Sequence, residues 1–218
     1  MHRIIVFLGP SLEPSEAEKI LSAEYRPPAK RGDLLAAAGE GATIIGLIDG
    51  VFHQESAVAH REILAAIKHG VTVVGASSMG ALRAAEMDTL GMVGIGEIYR
   101  MYKSGELESD DEVALVFDPE SGLALSEPLI NIRFTLKRAV SEVVIDATAH
   151  NALLASAQSL FYPKRTYGAI VSAAGDAIDE KVRKRFLGWV ITGACDQKRE
   201  DAVAALRYIR DITGKDRE

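Results

Sequence analysis

The sequence predicts an α/β fold: a small parallel sheet with flanking helices in the N-terminal half, Rossmann-like, then a hairpin and a mostly helical C-terminal lobe. Three observations carry this. Short runs rich in β-branched residues alternate with helical periodicity between residues 4 and 90. Each of those runs ends in a glycine-containing turn. Beyond residue 126 the apolar spacing is that of helices.

The first strand is Ile4–Leu8, stopped by Gly9-Pro10-Ser11. A helix is expected after Pro14, with Ser15 as its cap and Glu16 and Glu18 near its positive end. Tyr25 to Ala29 breaks regular structure, because Pro28 has no N–H to donate and Pro27 restricts Arg26. Asp33–Ala38 reads as a short helix closed by Gly39, and Thr43–Ile48 as a second strand ending at Asp49-Gly50. Ala57–His69 is the next helix, with Gly70 as its stop. Val71–Val74 is a third strand and Gly80–Leu90 a helix closed by Gly91. Val113–Phe117 and Leu123–Ser126, around Asp118 to Gly122, give a hairpin signal. Ser126 and Pro128 then read as a helix start. Helices are expected at Pro128–Val140, Ala147–Phe161, Thr166–Ala174, Glu180–Ile191 and Arg199–Ile212, and a frayed tail from Gly214. The division drawn from this pattern is an α/β core over 1–125 and a helical lobe over 126–218.

Composition narrows the function classes. The chain has 218 residues, 48% of them hydrophobic and 26% charged, which is an ordinary globular balance. Its net charge of −6 argues against sequence-independent nucleic-acid binding. The basic run Lys181 to Arg185 reads as a solvated helix face. One cysteine, Cys195, can form neither an internal disulfide nor a cysteine-cluster metal site, and no metal is expected. The apolar run Ile4–Leu8 is too short for a signal peptide, and nothing is long enough for a membrane helix, so a cytoplasmic protein is expected.

Parallel sheets gather functional groups at the carboxyl ends of their strands. Those ends carry Gly9-Pro10-Ser11, Asp49-Gly50 and Gly75-Ala76-Ser77-Ser78. The stretch Ala76-Ser77-Ser78-Met79-Gly80 is an A-x-S-x-G variant of the nucleophile elbow. Ser78 would stand at a helix N-terminus, with the N–H groups of Met79 and Gly80 available to a developing oxyanion. The same run is similar to the serine-nucleophile segment of ClpP-type proteases. Two other readings stay open: a plain N-cap, and an anion site at the helix terminus.

A serine nucleophile needs a base. His60 shares a helix face with Ile63, Leu64 and Ile67 and is expected to point inward; His53, in the preceding loop, could serve instead. Asp49, Glu86 and Asp111 compete as the orienting carboxylate. Arg83 and Glu86 are helix neighbours, either a surface ion pair or a guanidinium that holds a carboxylate near the turn. Glu108 to Glu112 is an acidic run that includes Asp110 and Asp111. Asn131 and Arg133 fall in an apolar segment and should find polar partners. A further reading is an anion- or nucleotide-binding module that uses Gly9-Pro10-Ser11 and the serine turn; no G-x-x-x-x-G-K-[ST] sequence is present, which disfavours a P-loop.

Leu47-Ile48-Asp49-Gly50, His60 to Leu64, Gly75 to Glu86, Gly91 to Gly96, Asp110 to Ala114 and Ser126 to Arg133 together resemble the core of TfuA-like proteins. Phe7 to Leu12 and Pro27 to Asp33 agree, so the resemblance spans residues 4–135. It implies accessory work in peptide-backbone thioamidation. Such proteins act beside a YcaO enzyme, which uses ATP and magnesium, so no cofactor is expected on this chain itself. The resemblance also implies sulfide release by hydrolysis of a thiocarboxylated ThiS-like sulfur carrier, with a peptide or protein as the thioamidated substrate. Trifolitoxin and methyl-coenzyme M reductase are settings for systems of this type. On this reading Ser78 is nucleophile or orients a water, His60 is base, Asp49 or Glu86 orients it, and Arg83 clamps the carrier tail. Gly9, Pro10, Ser11, Ser77, Met79, Gly80, Asp110, Asp111, Asn131 and Arg133 would line the binding surface. Cys195 lies outside every motif, so sulfur should pass as free sulfide or directly from the carrier. The alternative is a non-catalytic adaptor that docks the YcaO enzyme and its peptide, and self-association stays open.

Overall fold

The computed structural model describes residues 2–52, 57–118 and 122–215. Two compact units form: one runs to Asp110 and resumes at Lys198, the other spans Asp111–Gln197.

The first unit is built on β1 (Ile4–Phe7), β2 (Glu24–Arg26), β3 (Ile44–Leu47), β4 (Thr72–Ala76) and β5 (Val93–Ile95). All pair in parallel, in the order β2-β1-β3-β4-β5. Between the strands run α1 (Pro14–Ala17), α2 (Asp33–Gly39), α3 (His60–Lys68) and α4 (Met79–Met87), and α5 (Glu97–Ser104) follows β5. The α/β class expected from the sequence is the one observed.

Alternation along each strand sorts side chains into two layers. Ile5, Phe7, Ile45, Leu47 and Val73 pack with Leu34, Ala37, Ile63, Ala66, Ala84 and Met87 from α2, α3 and α4. Val6, Leu8, Ile44, Ile48, Val74 and Ala76 pack the other way, on Ala202, Val203, Ala205, Leu206 and Ile209. Those last residues belong to α10 (Gln197–Lys215). The last helix, which the sequence pattern grouped with the helical lobe, is thus part of the first unit's core. It also stays helical through Gly214, where fraying was expected.

Among the described residues, two strands and one α-helix were not foreseen. β2 is a three-residue strand against two prolines, and β5 is a three-residue strand centred on Gly94, so neither gives an apolar run. In α5 the buried residues are Ile98, Met101 and Tyr102, a helical spacing crowded by charge. The first helix begins at Pro14 rather than after it, and Ser15 does not cap it.

The second unit packs α6 (Leu129–Ser141), α7 (Ala147–Ser159), α8 (Tyr167–Ala174) and α9 (Glu180–Gly193) around Leu136, Leu153, Ile170 and Phe186. Side chains cap three of these helices: Asp146 accepts from Ala149 N–H, Thr166 from Ala169 N–H and Asp179 from Lys181 N–H. Among the described residues the expected hairpin is represented by the antiparallel bridge Phe117 to Ala124. Ser126 does not cap α6; its buried hydroxyl accepts from Val116 N–H at 2.9 Å.

Between α6 and α7, Val143 sits at φ +58 with 80% of its surface exposed. A β-branched residue is strained there and gains nothing from burial. Val143→Gly should raise stability by about 1 kcal/mol, the left-handed penalty of roughly 1–2 kcal/mol less glycine's extra chain entropy. Urea unfolding of the two proteins checks this.

Candidate functional site

In-register pairing sets the carboxyl ends of β1, β3 and β4 side by side: Phe7 opposite Leu47, and Leu47 opposite Gly75. The three turns expected to converge do so. Asp49, 2% exposed, reaches across from the end of β3 to the turn after β1. Its Oδ2 accepts from the backbone N–H of Gly9 (2.9 Å) and Ser11 (3.1 Å), and its Oδ1 from the Ser11 hydroxyl (2.7 Å). Ser77, fully buried, donates its hydroxyl to Ser11 Oγ at 2.8 Å. Lys198, buried at the start of α10, brings its ammonium to 3.9 Å from Asp49 Oδ1.

The turn after Gly9 is therefore already filled by an internal anion. Its N–H groups face Asp49, so the anion-site reading has no vacant donors at Gly9 or Ser11. Asp49 is spoken for by Ser11 and Lys198 and makes no hydrogen bond to His60.

The serine turn departs from regular backbone at Ser77, which takes the left-handed φ of +65. Ser78 follows at the N-cap position of α4, but its side chain makes no cap hydrogen bond. It is 2% exposed. The N–H of Gly80 is committed to the carbonyl of Ile48 at 3.3 Å, which removes it from the expected oxyanion pair. Gly80 has a packing role instead. A Cβ there would overlap the Leu47 carbonyl oxygen and lie 2.7 Å from its carbon.

A cleft of about 510 Å³ opens on the same unit, lined on one side by Val58, Ala59 and His60 and on another by Met79, Leu82, Arg83 and Glu86. Arg31, Phe52, Ala57, Glu108, Ser109 and Asp110 complete it. His60, expected to point inward, is exposed at the first turn of α3. The helix starts three residues later than the sequence suggested, and its buried positions are Glu62, Ile63 and Ala66. His60 lies at the flank of that stripe and turns to Glu86.

Glu86 is the carboxylate that meets His60. Its Oε2 lies 2.7 Å from His60 Nε2 and 2.7 Å from Arg83 Nη1. Arg83 also donates Nε to the carbonyl of Val58 at 2.9 Å, tying α4 to the entry of α3. A carboxylate only accepts, so His60 Nε2 carries the proton and Nδ1 of the neutral ring keeps its lone pair. Such a pair can act as a carboxylate-oriented base, and it stands on the wall of a cleft. His53, the other candidate base, lies outside the described residues.

The remaining candidates fall in the second unit and are held by partners there. Asp111 pairs with the buried Arg165 guanidinium. Arg133 makes two hydrogen bonds to Glu112, at 2.8 and 2.6 Å. Asn131 donates to Asp196 at 3.0 Å. Burial, with the Asp196 carboxylate beside it, holds the Glu127 carboxyl above its ordinary pKa. Cys195 donates its N–H to Thr135 Oγ1 at 2.9 Å.

Among the described residues, no group of histidine, cysteine or acidic side chains could hold a metal ion, and no helix is long and apolar enough to cross a membrane. Glu62 was missed by sequence reasoning. It occupies the third position of α3, where glutamate commonly caps, but the helix start had been set at Ala57.

No curated protein matches the chain significantly. A family model described as TfuA-like protein matches residues 49–166, just over half of the chain. That segment holds Asp49, His60, Ser77, Ser78, Arg83, Glu86 and Asp110; Ser11 and Lys198 lie outside it. The chain belongs to the TfuA-like protein family.

Proposed function

We propose that this chain is an accessory protein of YcaO-dependent backbone thioamidation, and that it releases sulfide from a thiocarboxylated ThiS-like carrier by hydrolysis. The observation that carries the chemical part is the shared Glu86 oxygen, 2.7 Å from both His60 and Arg83 on the wall of the cleft. ATP and magnesium are assigned to the YcaO partner.

In this mechanism the carrier tail enters the cleft with its terminal thiocarboxylate near the Arg83 edge. His60 Nδ1 takes a proton from a water as the water oxygen bonds to the thiocarboxylate carbon. The C–S bond then breaks, and the imidazolium returns the proton to sulfur, which leaves as hydrosulfide. The new carboxylic acid ionises. Glu86 stabilises the imidazolium between the two transfers, and the charge developing on oxygen and sulfur is met by Arg83.

The test is hydrolysis of the thiocarboxylated carrier by the purified protein, with sulfide and carboxylate carrier both quantified. His60→Gln should lower kcat/KM by about 100-fold, the usual worth of a general base. An ester trapped on Ser78 would move the nucleophile role from water to that residue. Absence of turnover in the wild type would favour the adaptor reading, which has its own support in Phe161 and Ile191, apolar residues exposed on the helical unit.

A further inference from the structure

Glu62 is an acidic side chain with almost no exposure, 2%, and it makes no ion pair among the described contacts. Its two oxygens go to two different backbone segments. Oε1 accepts from Ala59 N–H at 2.7 Å, and Oε2 accepts from Gly32 N–H at 2.9 Å. Ala59 is the residue before His60, and Gly32 is the residue after Arg31. One carboxylate therefore pins the immediate neighbours of two cleft-lining residues, His60 at the start of α3 and Arg31 in the loop before α2.

Two further contacts close the same corner. Arg31 Nε donates to the carbonyl of Ala57 at 3.4 Å, and Arg83 Nε to that of Val58. Arg31, His60 and Arg83 are thus all referred to the segment 57–60, and all three line the cleft. Gly32 makes the clamp feasible, since its φ of +95 turns the N–H toward Glu62 at a conformation that a side-chain-bearing residue rarely adopts.

We infer that Glu62 is a positioning residue that holds Arg31 in the cleft lining it shares with His60 and Arg83, so that Arg31 is a second cationic contact for a chain-terminal carboxylate or thiocarboxylate entering the cleft. This rests on the reading of the cleft given under the proposed function. Glutamate suits the task because it can accept two N–H groups at once, whereas the amide nitrogen of a glutamine would face one of those donors with hydrogens of its own.

The experiment is a double-mutant cycle on the full chain with Arg31→Ala, Glu62→Gln and both together. The readouts are kcat and KM for the thiocarboxylated carrier, and Kd for the same ThiS-like carrier with an ordinary carboxylate terminus. Each single variant should raise KM and Kd by about tenfold, the lower end of what one hydrogen bond to a charged group is worth. The double variant should be no worse than Arg31→Ala alone, because Glu62 acts through Arg31. Hydrogen exchange at Gly32 and Ala59 should quicken in Glu62→Gln. Fully additive losses would reduce Glu62 to general support of the fold and overturn the inference. A wild type that binds the carboxylate carrier without hydrolysing its thiocarboxylate would sink the hydrolase mechanism while the Kd cycle still decides this one. A wild type that binds neither carrier form overturns both.

Discussion

Gly80→Ala should be among the most damaging single changes in this protein, with a loss of stability of about 4 kcal/mol or more. The added methyl has nowhere to go. Leu47's carbonyl oxygen already occupies the space, its carbon is 2.7 Å away, and the Gly75 Cα lies at 3.3 Å from the other side. These are backbone atoms of β3 and β4, fixed by parallel pairing, so the clash cannot be relieved by a rotamer change. Either α4 lifts from the sheet or the strands separate. Lifting α4 would carry Met79, Arg83 and Glu86 away from the cleft, so folded residual protein should also lose the His60–Glu86 pair. Urea unfolding followed by far-ultraviolet dichroism measures the loss; a shift under 1 kcal/mol would mean that the helix and strand can part without cost.

Asp49→Ala should cost about 3–5 kcal/mol, the range for removing one partner of a buried charge pair. The aspartate accepts three hydrogen bonds and lies beside a buried ammonium. Without it, two N–H groups and the Ser11 hydroxyl lose their acceptor, and the Lys198 ammonium loses the Asp49 carboxylate 3.9 Å away. Adding Lys198→Met should recover part of the loss, because the buried ammonium that faced the lost carboxylate is then removed with it. Absence of any recovery in equilibrium unfolding would assign the cost to the Gly9–Ser11 turn alone.

The legible parts of the fold were those where one residue pattern answers one physical demand. β1, β3 and β4 are continuous apolar runs because both faces of their sheet are covered. Helices of the second unit were legible from apolar spacing; the caps that Asp146, Thr166 and Asp179 supply emerge only in the structure. β2 and β5 were hidden for the opposite reason: three residues with glycine or arginine among them carry too little apolar signal to register. The helical α10 was expected, but nothing local in Arg199–Ile212 says which sheet or bundle its apolar face will meet.

The site was legible in part. Convergence of Ser11, Asp49 and Ser77 followed from strand order, and Arg83 with Glu86 from helix spacing. The partner choices were not, because a hydroxyl, a carboxylate and an imidazole can pair in several ways that only coordinates distinguish. His60 was misplaced through the start of α3: assigning that start to Ala57 left Glu62, a buried acid satisfied by two N–H groups, outside consideration as a cap.

The first unit is made of chain that is far apart in sequence. At a synthesis rate of about 5–20 residues per second, the stretch between α5 and α10 takes roughly 5–20 s to appear on the ribosome. During that interval Val6, Leu8, Ile48, Val74 and Ala76 have no α10 to cover them. The apolar face of the nascent sheet is therefore bare for a defined waiting time, and lengthening the chain between α5 and α10 should lengthen that exposure.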